Sequence, residues 1–286
     1  MFIETVVPVS SDPAVDLFVA QTDGSVERPL LVIHGGPDWD HTYLREPVAE
    51  LAGHRRIVLP DLRGCGRSTR GLADDEYTPA AATTDLVRLL DALEIGQADV
   101  LGFSYGGLIA QRLVLAAPER VRRLVVASSS VLPVPPGAFD GWRERTERLT
   151  AEADVWSDPS LSGPELTRAA ALAAAPANVW RPDALPGYLD VLRGIRFSAE
   201  WMRPWQAGTL PGPREPDAPQ RLADTGIPVL LLHGRQDMTF PADLVEATVE
   251  LIPTARASVI EDAGHMAHID RPRAWLEALD DFLSED

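Results

Sequence analysis

Residues 99–111 read DVLGFSYGGLIAQ, and Ser104 stands where an apolar run meets a helical pattern. Gly102 and Gly106 lie two residues to either side of it. A sharp strand-to-helix turn forces such a serine into a strained backbone conformation, and side chains at 102 and 106 would collide with the neighbouring elements. The strain lifts Oγ above the sheet, at the positive end of the following helix. This G-x-S-x-G pattern is that of a nucleophile elbow. A serine that merely caps a helix in a glycine-rich turn would give the same local sequence.

A serine hydroxyl attacks poorly until a base takes its proton. The partners are expected in the order acid then histidine, each in a loop after a later strand. VLLLHGRQD places Asp237 just past one apolar run, and SVIEDAGHMAH places His265 past the last one. Asp237 would orient the imidazole, and His265 would accept the Ser104 proton and return it to the leaving group. His268, at the start of the last helix, is a rival base, and Asp243 a rival acid. His41, His54 and His268 read as surface or hydrogen-bonded histidines. Attack on an acyl carbon creates an oxyanion that two backbone N–H groups should meet. The sequence offers Tyr105, directly after the serine, and Gly36 in the loop HGGPDWDH, with His34 bracing that loop.

These residues need a scaffold. Strand-like runs at 29–36, 56–61, 98–104, 121–128, 227–234 and 256–265 alternate with helical patterns at 42–52, 79–95, 105–118, 241–252 and 272–283. Runs apolar on both faces indicate an α/β fold, a mostly parallel central sheet flanked by helices. The alternation breaks between 131 and 220. That segment holds five of the seven tryptophans, Trp142, Trp156, Trp180, Trp201 and Trp205, more than a plain linker would carry. It reads as a mainly helical cap, 131–220, inserted after the sixth strand, with a core formed by 1–130 and 221–286. Ligands in open α/β sheets bind outside the carboxyl ends of the strands, so an aromatic cap there would roof a pocket.

The bulk numbers narrow the partners. Formal net charge is −17 and all 26 basic residues are arginine, which argues against nucleic acid. Cys65 is the only cysteine and reads as a buried structural thiol. The N-terminus has no basic segment followed by an apolar core, and no apolar run approaches the ~20 residues that span a bilayer. A cytoplasmic protein without membrane partners is the expectation. No metal-ligand spacing or dinucleotide fingerprint occurs, so neither metal nor cofactor is expected. Chemistry that needs a carboxylate at the elbow is excluded by Ser104.

Taken together, HGGP, DLRGCGRS (61–68), GFSYGG, GRQD and AGH resemble the proline iminopeptidase family of serine aminopeptidases. The resemblance covers nearly all the chain outside the cap. It implies the α/β-hydrolase fold, the triad Ser104, Asp237 and His265, and Gly36 and Tyr105 as oxyanion donors. It further implies hydrolysis of an N-terminal aminoacyl amide, or a short peptide, through an acyl-enzyme, by a monomer or small homo-oligomer. Such enzymes hold the substrate's free amine with cap carboxylates. PGPREPD supplies Glu215 for that role, while Met238 stands where many members carry a glutamate and HGGPD puts Asp38 where they carry glycine. Asp38 and Glu200 are then the replacements in the clamp. Relatives in antibiotic biosynthesis that unmask a large hydrophobic amide resemble this departure, and a tryptophan-rich cap suits such a substrate. An esterase or lactonase with the same triad is the alternative, and would not need Glu215. A non-catalytic ligand-binding protein on the same scaffold is a third reading, which would not need all three triad residues.

Overall fold

A computed structural model of the 286-residue chain describes residues 1–23 and 28–285. Eight strands form one sheet: β1 (Phe2–Ser11), β2 (Ala14–Thr22), β3 (Leu30–Ile33), β4 (Ile57–Pro60), β5 (Ala98–Phe103), β6 (Val121–Ala127), β7 (Val229–Gly234) and β8 (Ala255–Ile260). Their order is β1-β2-β4-β3-β5-β6-β7-β8. β4, β3 and β5 to β8 run parallel, and β1 and β2 add an antiparallel hairpin at one edge.

Every residue of β3, β4, β5 and β7 is buried. Side chains alternate between faces along a strand. Leu31, Ile33, Val100, Leu124, Val126 and Leu231 therefore pack in one core, and Leu30, Val32, Leu101, Val125, Leu230 and Leu232 in the other. Helices cover both faces: α1 (Thr42–Ala49), α2 (Pro79–Ala92), α3 (Tyr105–Ala116), then α4 (Arg143–Trp156), α5 (Gly163–Asn178), α6 (Leu185–Gly194), α7 (Met202–Gln206) and α8 (Ala218–Thr225), followed by α9 (Asp243–Leu251), α10 (Ala267–Asp270) and α11 (Pro272–Ser284). No helix among the described residues is long and apolar enough to cross a membrane.

Helices α4 to α8 all lie between β6 and β7. α8 runs across residue 220, so the return to the sheet follows Thr225. The cap helices differ in how firmly they are held. α5 buries seven residues, mostly alanines, whereas α4 buries none.

Core aspartates fasten the stretch from Arg196 to Met202. Asp38 accepts from Ser198 Oγ (2.8 Å), Trp201 N (3.1 Å) and Met202 N (2.9 Å). Asp40 accepts from Arg196 N (2.9 Å), and Trp201 Nε1 donates to Arg63 O (2.8 Å). The cap is thus joined to the loops that leave β3 and β4.

Candidate active site

Ser104 follows β5 directly and precedes α3, with φ 53° and ψ −121°. Tight packing explains why the chain accepts this backbone. A Cβ on Gly102 would lie 2.3 Å from Gly106 O, and one on Gly106 would lie 2.3 Å from Ile33 O. The elbow is wedged between its own helix and the end of β3, so only glycine fits at both places. Ser104 makes no capping bond to α3. Its hydroxyl faces His265 instead, with Oγ 3.1 Å from Nε2.

The ring of His265 is fixed from the other side. Nδ1 lies 2.9 Å from Asp237 Oδ2. An ionised carboxylate can only accept, so Nδ1 carries the proton and Nε2 is left to accept from Ser104. Asp237 Oδ1 is held by Thr239 N (2.7 Å) and Phe240 N (2.9 Å). Burial opposes the Asp237 charge, yet the imidazole and these N–H donors hold its pKa below the ordinary aspartate value. Phe103 and Phe240 flank the imidazole at 5.3 and 6.0 Å between ring centres.

The rivals are elsewhere. His268 is 3% exposed and boxed by Phe103, Tyr43 and Trp275. Burial, with some help from the neighbouring His265, pushes its pKa down to about 3. Asp243 opens α9 on the exposed surface. His34 braces the loop after β3: its Nδ1 donates to Gly35 O (2.7 Å) and its Nε2 accepts from Leu62 N (3.0 Å). His41 pairs with the buried Asp61 at 2.6 Å. Cys65 is buried.

Ser104 and His265 open into a small cavity of about 150 Å³, bordered by Gly36, Trp39, Tyr43, Phe103, Asn178 and Met266. Gly36, Trp39 and Asn178 also border a larger one of about 610 Å³ beneath the cap. Tyr105, Trp156, Trp201 and Trp205 contribute to its wall. Gly36 has φ +111° and borders both spaces, and Tyr105 is the first residue of α3, where helix N–H groups have no intrahelical acceptor.

The sequence model of the family described as alpha/beta hydrolase fold matches residues 28–272. The chain belongs to the α/β-hydrolase family. Among its relatives, this α/β-hydrolase is 34% identical over 278 residues to 2-hydroxymuconate semialdehyde hydrolase of Pseudomonas sp. (strain CF600), covering 92% of this chain and 89% of that protein. It is 28% identical over 276 residues to the proline iminopeptidase of Lactobacillus delbrueckii subsp. bulgaricus, covering 89% of each. A proline iminopeptidase-related protein from Thermus thermophilus superposes with a TM-score of 0.75 at 23% identity, over 99% of this chain and 98% of that one. That last likeness shows the fold.

The structure corrects the expected amine clamp. Glu215 does not face either space at the elbow. Its carboxylate pairs with Arg112 (2.6 Å) and Arg221 (2.9 Å) and borders a separate hollow with Thr83 and Thr84. Glu200 is bound by Tyr77 Oη (2.6 Å), Gly71 N (3.1 Å) and Arg203 Nη2 (3.1 Å) and lies on neither wall. Asp38 does border the larger cavity, but its oxygens are engaged by Ser198, Trp201 and Met202. Arg112 of α3 holds this loop, pairing with Glu215 and donating to Pro213 O at 3.4 Å, and a motif match carries no information about that arginine partner. Glu152 of α4 was not singled out by sequence; it borders the larger cavity and accepts from Trp156 Nε1 at 3.1 Å. Asn178, which touches both cavities, ends an alanine-rich helix that carries no motif.

Proposed function

We propose that the protein is a serine hydrolase that cleaves an ester or amide of an apolar, uncharged or cationic substrate through an acyl-enzyme on Ser104. The observation that carries this reading is the hydrogen-bonded chain Ser104–His265–Asp237, opening into a small cavity that shares Gly36, Trp39 and Asn178 with the tryptophan-walled one. Ser104 Oγ attacks the acyl carbon as its proton passes to His265 Nε2. Asp237 stabilises the imidazolium that results. The N–H groups of Gly36 and Tyr105 receive the oxyanion. His265 then protonates the leaving alcohol or amine, which departs and leaves the acyl group on Oγ. Water repeats the cycle with His265 as base and frees the acid.

An aminoacyl amide remains the finer form of this reading. With Glu215 and Glu200 turned away and Asp38 engaged, Glu152 is the carboxylate left on the cavity wall to face a substrate ammonium, beside the rings of Trp156 and Trp205. A second reading comes from the Pseudomonas relative, whose named substrate is a carboxylate. The cavity walls disfavour it. Among the described residues they carry Asp38 and Glu152 and no arginine, and the chain has no lysine. A carboxylate buried there without a partner would cost several kcal/mol.

The test is a set of aryl esters matched in size, with phenyl, ammonium-bearing or carboxylate-bearing acyl groups. The neutral and cationic esters should exceed the anionic one in kcat/KM by roughly 30-fold or more, the ratio for ~2 kcal/mol. Preference for the anionic ester would transfer the conclusion to the second reading.

A further inference from the structure

His265 sits in a loop whose main chain is tied to the cap on both flanks. On one side, Gly264 N donates to Asp270 Oδ2 at 2.8 Å. The same oxygen accepts from Trp180 N at 2.8 Å, and Oδ1 accepts from Arg181 N at 2.9 Å. On the other side, Met266 N donates to Asn178 O at 2.8 Å. The fit is close: a Cβ on Gly264 would lie 3.0 Å from both Asn178 O and Trp180 N. Asp270 is 1% exposed, so these N–H groups, rather than water, stabilise its charge. Arg181 also reaches back to the Asp270 carbonyl at 3.1 Å.

We infer that Asp270 is a positioning residue, which sets His265 against Ser104 by clamping the cap segment 178–181 to the histidine loop. Its carboxylate touches neither the reacting atoms nor either cavity wall. It acts through the main chain of Gly264, one residue before the base, and through the segment that carries Asn178. Displacing a catalytic group by about 1 Å costs roughly 100-fold in rate. Nδ1 and Nε2 of one ring must meet Asp237 and Ser104 together, so a shift of the loop loosens both contacts. On this account the stretch after α5 is part of the site, and its seat on the core is a condition of reactivity.

This inference rests on Ser104 being the nucleophile, which labelling of the wild-type protein with a fluorophosphonate checks separately. Asp270→Asn keeps the shape but presents an amide NH2 to one of the three donors. Asp270→Glu keeps the charge and moves it by one methylene. Leu17→Ala, a buried core residue of β2, serves as a control that lowers stability away from the site. For each protein the rate constant for Ser104 phosphonylation and the ester kcat are measured per folded molecule, well below its own Tm. Both constants should fall roughly 100-fold in whichever Asp270 variant folds, with KM little changed, while Leu17→Ala loses Tm and keeps both. A folded Asp270 variant that phosphonylates at the wild-type rate would reduce Asp270 to a structural tie and overturn the inference. If neither variant folds where Leu17→Ala does, Asp270 is needed for the fold itself, and the separate role fails too.

Discussion

His268 gives the sharpest physical test of how the two histidines beyond β8 differ. Its ring is enclosed by Phe103, Tyr43 and Trp275, and burial pushes its pKa down to about 3 from 6.5. Below pH 6.5 the unfolded chain takes up a proton at this position that the folded chain refuses. The stability tied to His268 is therefore fully present above pH 6.5 and falls as pH drops toward 3. Each pH unit in that window costs about 1.4 kcal/mol, so ~2 kcal/mol is lost by pH 5. His268→Leu removes the titration and keeps an apolar side chain of similar size. Its stability at pH 7 will differ through lost ring contacts, but only the slope matters. His34 and His233 also have lowered pKa values through burial, and they contribute equally to both proteins. Urea unfolding of both at pH 7, 6 and 5 should show the wild type losing about 2 kcal/mol more than the variant between the extremes. Parallel pH profiles would refute the reasoning, since His268 would then be titrating freely in the fold. His268→Leu should also keep Ser104 phosphonylation, which a general base at 268 could not allow.

Three further substitutions probe the elbow, an open helix position and the expected clamp. Gly106→Ala drives a Cβ into Ile33 O and His34 O at 2.3 and 2.4 Å, both backbone atoms, so β3 must shift. A loss of at least ~3 kcal/mol and about 100-fold in kcat is expected from denaturant unfolding and ester assays. Gly187→Ala, in α6 with open space around it, should instead stabilise by ~0.5–1 kcal/mol. Glu215→Gln should lower stability by roughly 1–2 kcal/mol through its half-buried pairs with Arg112 and Arg221. It should leave the ratio of kcat/KM for free-amine and N-acetyl substrates within about twofold of wild type. A selective loss on free-amine substrates would return Glu215 to the cavity.

The sequence speaks most clearly where local geometry restricts residue choice. Gly102 and Gly106 are legible because a turn this tight admits nothing larger, and the apolar runs of β3 to β7 are legible because both faces are covered. Strand ends then place Ser104, Asp237 and His265 on one rim. Other features are written in no local pattern. The hairpin of β1 and β2 lies at an edge, where Pro8 and Pro13 interrupt the usual strand signal and Ile3 and Val6 stand exposed beside polar residues, which blurs the alternation. The carboxylates taken for an amine clamp were chosen by their neighbours in sequence, whereas their fate is decided by Arg112, Tyr77 and the main chain of residues 201 and 202, all distant in the chain. Glu152 and Asp270 acquire meaning only when the cap is seated. A buried carboxylate that gathers N–H groups from two segments looks in sequence like any surface aspartate.

The central claim is that Ser104 is the covalent nucleophile. A fluorophosphonate probe followed by intact-mass and peptide mapping tests it most directly. The wild type should gain one adduct, on Ser104. Ser104→Ala should fold, take no adduct and lose kcat by several orders of magnitude. His265→Ala should fold and label far more slowly than the wild type. An adduct on another residue, or undiminished turnover by Ser104→Ala, would contradict the account.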